Sequence, residues 1–188
     1  MRIISGNNKG KKIYLPIDKK TRPLRDMVNE SIFNLIIHSK KISTNIFKAN
    51  VLDLFSGVGS FGLECISRGA NNVIFVENYP ETLKVLRRNI TSFKTKKTRV
   101  IDEDCFEILG NDKLINQKFD IIFIDPPYKE KKISTLIEKI LKKKILNSEG
   151  IIIIHRHKKD NTEISVNFNV IIERAYGISK IKIGTVNK

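Results

Sequence analysis

An open, doubly wound α/β sheet is predicted by three observations. From residue 50 onward short apolar runs alternate with segments of helical period, a glycine-rich loop follows the first run, and the last two runs are joined with no room for a crossover helix. Alternation of this kind gives a mostly parallel sheet with helices on both faces, because a parallel connection needs a helix-length crossover. Hydrophobic content of 40% and charged content of 29% over 188 residues suit one globular domain rather than two. The chain, 1–188, is therefore read as a single domain with an N-terminal extension over 1–38 and a core over 50–188.

The extension opens with two short strand candidates, 2–5 and 11–15, around Gly6-Asn7-Asn8-Lys9-Gly10, a turn-forming segment that predicts a hairpin. Thr21-Arg22-Pro23 then leads into a helix in which Val28, Ile32, Leu35 and Ile36 recur at helical spacing. Asp26 and Glu30 lie toward its N-terminal end, where negative charge is favoured, and Arg25, Asn29 and Asn34 are expected on its outer face. In the core, strands are expected over 51–55, 73–76, 98–101, 121–124 and 150–154. Helices are expected from the glycine loop to Arg68, from Pro80 onward and over 134–143, with Gly69 placed to end the first of them. The runs 163–172 and 179–183, joined through Tyr176-Gly177, are expected to pair antiparallel at the sheet edge.

Asp125-Pro126-Pro127-Tyr128 follows the apolar run 119–124, so a carboxylate, two rigid prolines and an aromatic ring emerge together from a buried strand. Prolines fix φ and lack an N–H, so the turn offers carbonyl and carboxylate acceptors with no backbone donor at either proline. Asp125 and the Pro126 carbonyl can each accept from a planar –NH₂ group, while Tyr128 offers a ring for a base turned out of its stack. Taken alone, the tetrapeptide also suits a plain strand-ending turn.

Between the first core strand and its helix, Asp53-Leu54-Phe55-Ser56-Gly57-Val58-Gly59-Ser60-Phe61-Gly62 carries the pattern G-x-G-x-x-G at Gly57, Gly59 and Gly62. A nicotinamide or flavin dinucleotide is disfavoured on charge and remains a remote third reading, because the Asp53 carboxylate would stand beside the pyrophosphate that such loops hold. S-adenosylmethionine carries an ammonium and a sulfonium instead, so an acid at position 53 is favourable. Glu77, with Asn78 beside it, closes the second strand, where a carboxylate can accept from ribose hydroxyls. Asp104 follows the third strand and can accept from an adenine amino group, with Cys105 and Phe106 beside the ring. Each acid also has a structural alternative: Asp53 or Asp104 as a helix cap and Glu77 as a solvated strand end. Together with Asp125 they define one crevice at the carboxyl ends of successive strands, where ligands bind in such sheets.

Thirty-five Lys and Arg against 20 Asp and Glu give a formal net charge of +15, which favours polyanionic partners. The excess is concentrated in the extension, where Arg2, Lys9, Lys11, Lys12, Lys19, Lys20, Arg22 and Arg25 face one acid, Asp18. Arg2, Lys9, Lys11, Lys12, Arg22 and Arg25 are expected to grip RNA phosphates. The two cysteines, Cys65 and Cys105, have no C-x-x-C partner, and neither a signal-peptide core nor a membrane-length apolar run is present, so a reduced, cytoplasmic protein away from membranes is expected. His155 and His157 flank Arg156 with no Cys or carboxylate cluster to complete a metal site, and no metal is expected.

With these motifs placed, the chain resembles the bacterial 16S ribosomal RNA guanine-N2 methyltransferases of the class I S-adenosylmethionine-dependent group. The resemblance rests on Arg2-Ile3-Ile4-Ser5-Gly6, Lys9-Gly10-Lys11-Lys12, Thr21-Arg22-Pro23, Ser31-Ile32-Phe33-Asn34, Val51-Leu52-Asp53-Leu54-Phe55-Ser56-Gly57, Phe75-Val76-Glu77 and Asp125-Pro126-Pro127-Tyr128. It implies the Rossmann-like fold of that group, methyl transfer from S-adenosylmethionine to N2 of a guanine in 16S rRNA, the small ribosomal subunit as partner, and a monomeric enzyme. His155-Arg156-His157 departs from the pattern, which leads one to expect an acid after the fifth strand. The competing readings are a DNA adenine-N6 methyltransferase, which shares Asp-Pro-Pro-Tyr, and a non-catalytic RNA-binding assembly factor on the same fold.

Overall fold

The computed structural model describes residues 1–17, 26–114 and 116–186. In chain order its elements are α1 (Asp26–His38), β1 (Asn50–Leu54), α2 (Ser60–Ser67), β2 (Asn72–Glu77), α3 (Pro80–Phe93), β3 (Thr98–Asp102), α4 (Cys105–Ile108), β4 (Phe119–Ile124), α5 (Ile133–Lys143), β5 (Leu146–His157), β6 (Phe168–Tyr176) and β7 (Ser179–Val186). The strands form a seven-stranded sheet in the order β3-β2-β1-β4-β5-β7-β6. β1 to β5 pair parallel, while β7 runs antiparallel to both β5 and β6. The α/β fold is thus the one expected, with β6 and β7 forming the antiparallel edge.

Side chains alternate across the strands, and so does the core. Val51, Val73, Phe75, Ile121, Phe123, Ile151 and Ile153 face the cluster that holds α1, α2 and α3. Leu52, Leu54, Ile74, Val76, Ile122, Ile124, Ile152 and Ile154 face the cluster built with α4 and α5. Strands buried on both faces read as continuous Val and Ile, which is why their periodicity is absent from the sequence. β1 neighbours β2 on one side and β4 on the other, and the chain winds outward in both directions from it. The crevice above β1 and β4 is therefore the topological switch point, where open α/β sheets bind their ligands.

The N-terminal extension differs from the expected two-stranded hairpin. One antiparallel bridge, Arg2 with Lys12, stands where strands over 2–5 and 11–15 were expected. The turn is closed by Ile3 N–H to the Lys11 carbonyl and Gly10 N–H to the Ile3 carbonyl, both at 2.9 Å. Four backbone donors of the arm, those of Ile4, Ser5, Asn7 and Asn8, turn to α2 instead. The buried Glu64 carboxylate accepts from Ile4 N–H at 2.8 Å, Ser5 N–H at 3.0 Å and Arg68 Nε at 2.7 Å. Asn7 N–H donates to the Ser67 carbonyl at 2.8 Å and Asn8 N–H to Ser67 Oγ at 2.9 Å. Ile3 and Ile13 are in the same cluster as the sheet residues, so the arm is packed into the core.

Two further differences concern helix and edge. In α1 the buried positions are Val28, Asn29, Ile32, Phe33 and Ile36, so Asn29 faces inward where the outer face was expected, and Leu35 is only partly covered. Phe33 takes the place at i+4 from Asn29 and stacks on Phe61 of α2 at 5.2 Å, which in turn stacks on Phe123 at 4.1 Å. β6 begins at Phe168 and includes Tyr176, five residues later at its start than the run 163–172 suggests. Arg22, Arg25 and the segment around them lie outside the described residues.

Glu64 is fully buried and holds two backbone amides and a guanidinium. Glu64→Ala leaves all three unpaired and is expected to destabilise the fold by about 3–5 kcal/mol, the scale for removing one partner of a buried ion pair. Calorimetry with limited proteolysis checks it: the melting temperature should fall, and cleavage should begin within residues 1–17. An arm as protected as in the wild type contradicts this anchoring.

Candidate active site

Register places the acids before any side chain is considered. Leu54 is level with Val76 and Ile124, and Ile124 with Ile154. Residues 53, 77, 125 and 155 therefore share the face of Phe75, Phe123 and Ile153, with Asp53 one step below a row that contains Glu77, Asp125 and His155. The carboxylates are close enough to act on one another. Burial pushes the Asp53 carboxyl well above the ordinary range, the Gly62 amide opposes this, and the Asp125 and Glu77 charges add to it.

The glycine loop is shaped by packing as much as by its turn. Gly59 precedes α2 at φ 84°, a left-handed conformation, and a Cβ there would meet Leu86 Cδ1 at 2.6 Å. A Cβ on Gly62 would enter the Phe75 ring at 2.3 Å. Gly59 has no side chain to cap α2, and Asp53 does this instead, accepting from Gly62 N–H through Oδ2 at 3.1 Å. Its Oδ1 is buried and has no partner among the described residues, and the same is true of Ser56 Oγ.

The other acids divide their capacity similarly. Glu77 accepts from Gly57 N–H at 2.8 Å, Asn78 N–H at 3.0 Å and Tyr79 N–H at 2.9 Å. A carboxylate has about four acceptor sites, so roughly one remains for a hydroxyl. Asp104 is the N-cap of α4, Oδ1 accepting from Phe106 N–H at 2.7 Å and Glu107 N–H at 3.4 Å, while Oδ2 lies 3.4 Å from Asn78 Nδ2. The capping alternative for Asp104 is realised, and its second oxygen still faces Asn78. Phe55 and Phe106 meet edge to face at 6.3 Å and form an aromatic wall. The Cys105 thiol is buried, accepts from Phe55 N–H at 3.2 Å and is pushed up by burial, so it lines the wall without thiolate chemistry.

Asp125 opens at the end of β4, its side chain a quarter exposed. Two residues that the sequence did not single out as functional control this loop. His155 Nδ1 lies 2.7 Å from Asp125 Oδ1, and its Nε2 lies 2.9 Å from Ser179 Oγ. The buried Arg156 guanidinium donates to the carbonyls of Pro127 and Tyr128 at 3.1 Å, Glu130 at 2.7 Å and Pro126 at 3.5 Å. Its Nε is paired with Asp160. Burial opposes ionisation of Asp160, yet donors from Thr162, Arg156 and Lys131 hold its carboxyl well below the usual range. The Pro126 bond is long, and that buried carbonyl keeps a second lone pair beyond it. Tyr128 is 58% exposed, edge-on to the His157 ring at 5.4 Å.

These features fit S-adenosylmethionine by donor set. Among the described residues Asp53 Oδ1 lacks a donor such as an ammonium would supply, Glu77 keeps an acceptor that would suit a ribose hydroxyl, and Phe55 and Phe106 stand edge to face beside Cys105 and Asp104, where a purine would lie. Among the described residues no cluster of His, Cys, Asp and Glu could hold a metal ion, and no helix is long and apolar enough to cross a membrane. In the arm, Arg2, Lys9 and Lys12 are exposed. Lys11 is not free in the same way, since its Nζ bonds the Ser92 carbonyl and lies over the Phe93 ring at 4.7 Å.

Comparison with known proteins gives the family and the fold. The family described as Conserved hypothetical protein 95 matches residues 1–185. YlbH of Bacillus subtilis (strain 168) is 31% identical over 185 residues, 97% of each chain. Ribosomal RNA small subunit methyltransferase D of Buchnera aphidicola subsp. Acyrthosiphon pisum is 31% identical over 168 residues, 89% of this chain and 84% of that one. Among solved structures, Escherichia coli yhhF superimposes with a TM-score of 0.82 at 24% identity, covering 99% of this chain and 97% of the other, which establishes the shared fold.

The strained ionisation of Asp53 gives a stability signature. A carboxyl whose folded pKa lies above its unfolded value of about 3.9 contributes stability fully present below that value and lost as pH rises through the folded one. Asp53→Asn keeps an acceptor for Gly62 N–H and removes the buried charge. The variant is expected to melt higher than wild type at neutral pH, at roughly 2–4 °C per kcal/mol gained. The difference should close as the pH falls toward about 4. A pH-independent difference in calorimetry, or a less stable variant at neutral pH, contradicts the assignment.

Proposed function

The chain belongs to the Conserved hypothetical protein 95 family, and on that footing we propose that it transfers a methyl group from S-adenosylmethionine to the exocyclic N2 of a guanine in 16S rRNA of the small ribosomal subunit. The observation that carries the reading is that the parallel pairing of β1 with β4 brings Asp125, opening the Asp-Pro-Pro-Tyr loop, to the same face and the same strand ends as Asp53, whose Oδ1 has no partner among the described residues. The relative named ribosomal RNA small subunit methyltransferase D supports the substrate class.

When bound, S-adenosylmethionine supplies an electrophilic methyl group on its sulfonium. Asp53 Oδ1 and Ser56 would meet the ligand's ammonium end, Glu77 with Asn78 its ribose, and Asp104, Cys105, Phe55 and Phe106 its adenine, with Gly57 and Gly59 letting the backbone approach. On the other side of the crevice, Asp125 Oδ2 and the Pro126 carbonyl accept the two hydrogens of the guanine amine and orient its nitrogen. Neither proline offers an N–H to compete for that amine, and Pro127 holds the loop's turn. Tyr128 presents its exposed ring to the base, which must leave its stack at a cost of a few kcal/mol. Alignment is the main contribution of these groups, because an aromatic amine is a weak nucleophile.

The RNA backbone lies against the basic arm. Arg2, Lys9 and Lys12 carry the contact, Lys11 adds charge while tied to α3, and Arg22 and Arg25 extend the same patch along the sequence. We place the enzyme in the cytoplasm, acting as a monomer without metal.

Incubation with labelled S-adenosylmethionine and either small ribosomal subunits or duplex DNA tests the reading. Label is expected in 16S rRNA, at N2-methylguanine on digestion; label in DNA alone overturns it. Asp125→Ala should lower kcat by at least about 10²-fold with cofactor affinity changed less than about threefold. Equal loss of both contradicts the role of Asp125. The pair Lys9→Glu and Lys12→Glu should weaken RNA binding and flatten its salt dependence by about 0.7–0.9 log units for each phosphate no longer neutralised. An unchanged slope counts against that patch.

A further inference from the structure

His155 lies on the same strand face as Asp125, and the two side chains are joined at 2.7 Å across neighbouring strands. A carboxylate only accepts hydrogen bonds, so the ring nitrogen facing it carries the hydrogen: His155 Nδ1–H donates to Asp125 Oδ1. The other ring nitrogen, Nε2, meets Ser179 Oγ 2.9 Å away on β7, a hydroxyl that can serve as donor or acceptor to it. The order Ser179, His155, Asp125 has the contacts of a hydrolytic triad, but its accessibility is reversed. Ser179 is buried at the antiparallel edge, whereas the Asp125 side chain is 25% exposed at the mouth. A buried hydroxyl cannot be the attacking group, so the chain of bonds points toward the acid rather than away from it.

We propose that His155, set in its Nδ1–H form by the Asp125 carboxylate and oriented by Ser179, is a positioning residue for Asp125. It occupies Oδ1 and so leaves Oδ2 as the acceptor that faces the target amine. The inference rests on the methyl-transfer reading above and adds to it a residue that acts through Asp125 and touches neither base nor cofactor. Three elements converge on the carboxylate: β4 carries it, β5 supplies the imidazole, and β7 fixes that ring. Arg156, the next residue on β5, fixes the loop carbonyls from the opposite face of the strand, so backbone and side chain of the tetrapeptide are held by consecutive residues.

The test uses the full-length protein with small ribosomal subunits and S-adenosylmethionine. His155→Ala should lower kcat by about 10–100-fold, the scale of a misplaced reacting group, while KM for S-adenosylmethionine and the melting temperature stay near wild type. His155→Asn, whose amide nitrogen can take the place of Nδ1–H, should recover most of that loss. Imidazole ¹⁵N resonances of the wild-type protein, recorded without cofactor or RNA, should report a hydrogen on Nδ1 of His155, and Ser179→Ala should keep it there while loosening the ring. A fully active His155→Ala, an Asn variant no better than Ala, or a wild-type ring without a hydrogen on Nδ1 overturns the inference alone. Wild-type protein that labels no small-subunit RNA overturns the methyl-transfer reading and the inference with it.

Discussion

Parallel pairing of β1 with β4 is the constraint on which the site depends. It brings the ends of two strands that are distant in sequence side by side at the point where the sheet's winding reverses, and the period of two along each strand then decides which residues face the crevice. A slip of one residue by either strand would exchange its faces, sending Asp53 or Asp125 into the apolar layer of α4 and α5. The stack Phe33, Phe61 and Phe123 beneath the acids resists such a slip, because α1, α2 and β4 each contribute one ring to it.

Gathering carboxylates at one sheet edge is unfavourable unless each is compensated, and the compensation differs from one to the next. Glu77 is compensated by three backbone amides, Asp104 by the first turn of α4, and Asp125 by a histidine. Asp53 is the exception, buried, with one amide on Oδ2 and no partner for Oδ1 among the described residues. Buried acceptors without partners are rare in folded proteins, and they concentrate where a ligand completes the bonding. The same reasoning separates Asp53 from Glu64, which is as deeply buried but fully engaged in fastening the arm to α2.

Much of this is legible in local chemistry. Asp53, Glu77, Asp104 and Asp125 each lie at or just beyond the carboxyl end of a strand, and those ends can be located from apolar runs and the glycines and prolines that follow them. Asp104 is a cap as well as a candidate ligand residue, a double use that spacing alone does not resolve. What depends on tertiary packing is not legible. His155 and Arg156 meet the Asp-Pro-Pro-Tyr loop about thirty positions away, and their significance follows from the pairing of β4 with β5 rather than from any motif. The hairpin is shorter than its strand-favouring residues suggest, because Glu64 and Ser67 draw away the amides that cross-strand pairing would use. The polarity of Asn29 points outward, yet α1 turns it inward one helical turn from Phe33.

The central claim is that one crevice presents Asp53 to a cationic cofactor and Asp125 to the acceptor amine. A crystal structure with S-adenosylhomocysteine tests it most directly. The ligand's ammonium is predicted within ~3 Å of Asp53 Oδ1, with its sulfur facing the Asp125 side of the crevice. A ligand bound elsewhere, or one whose sulfur points away from Asp125 while Asp53 Oδ1 stays without a partner, would contradict the account.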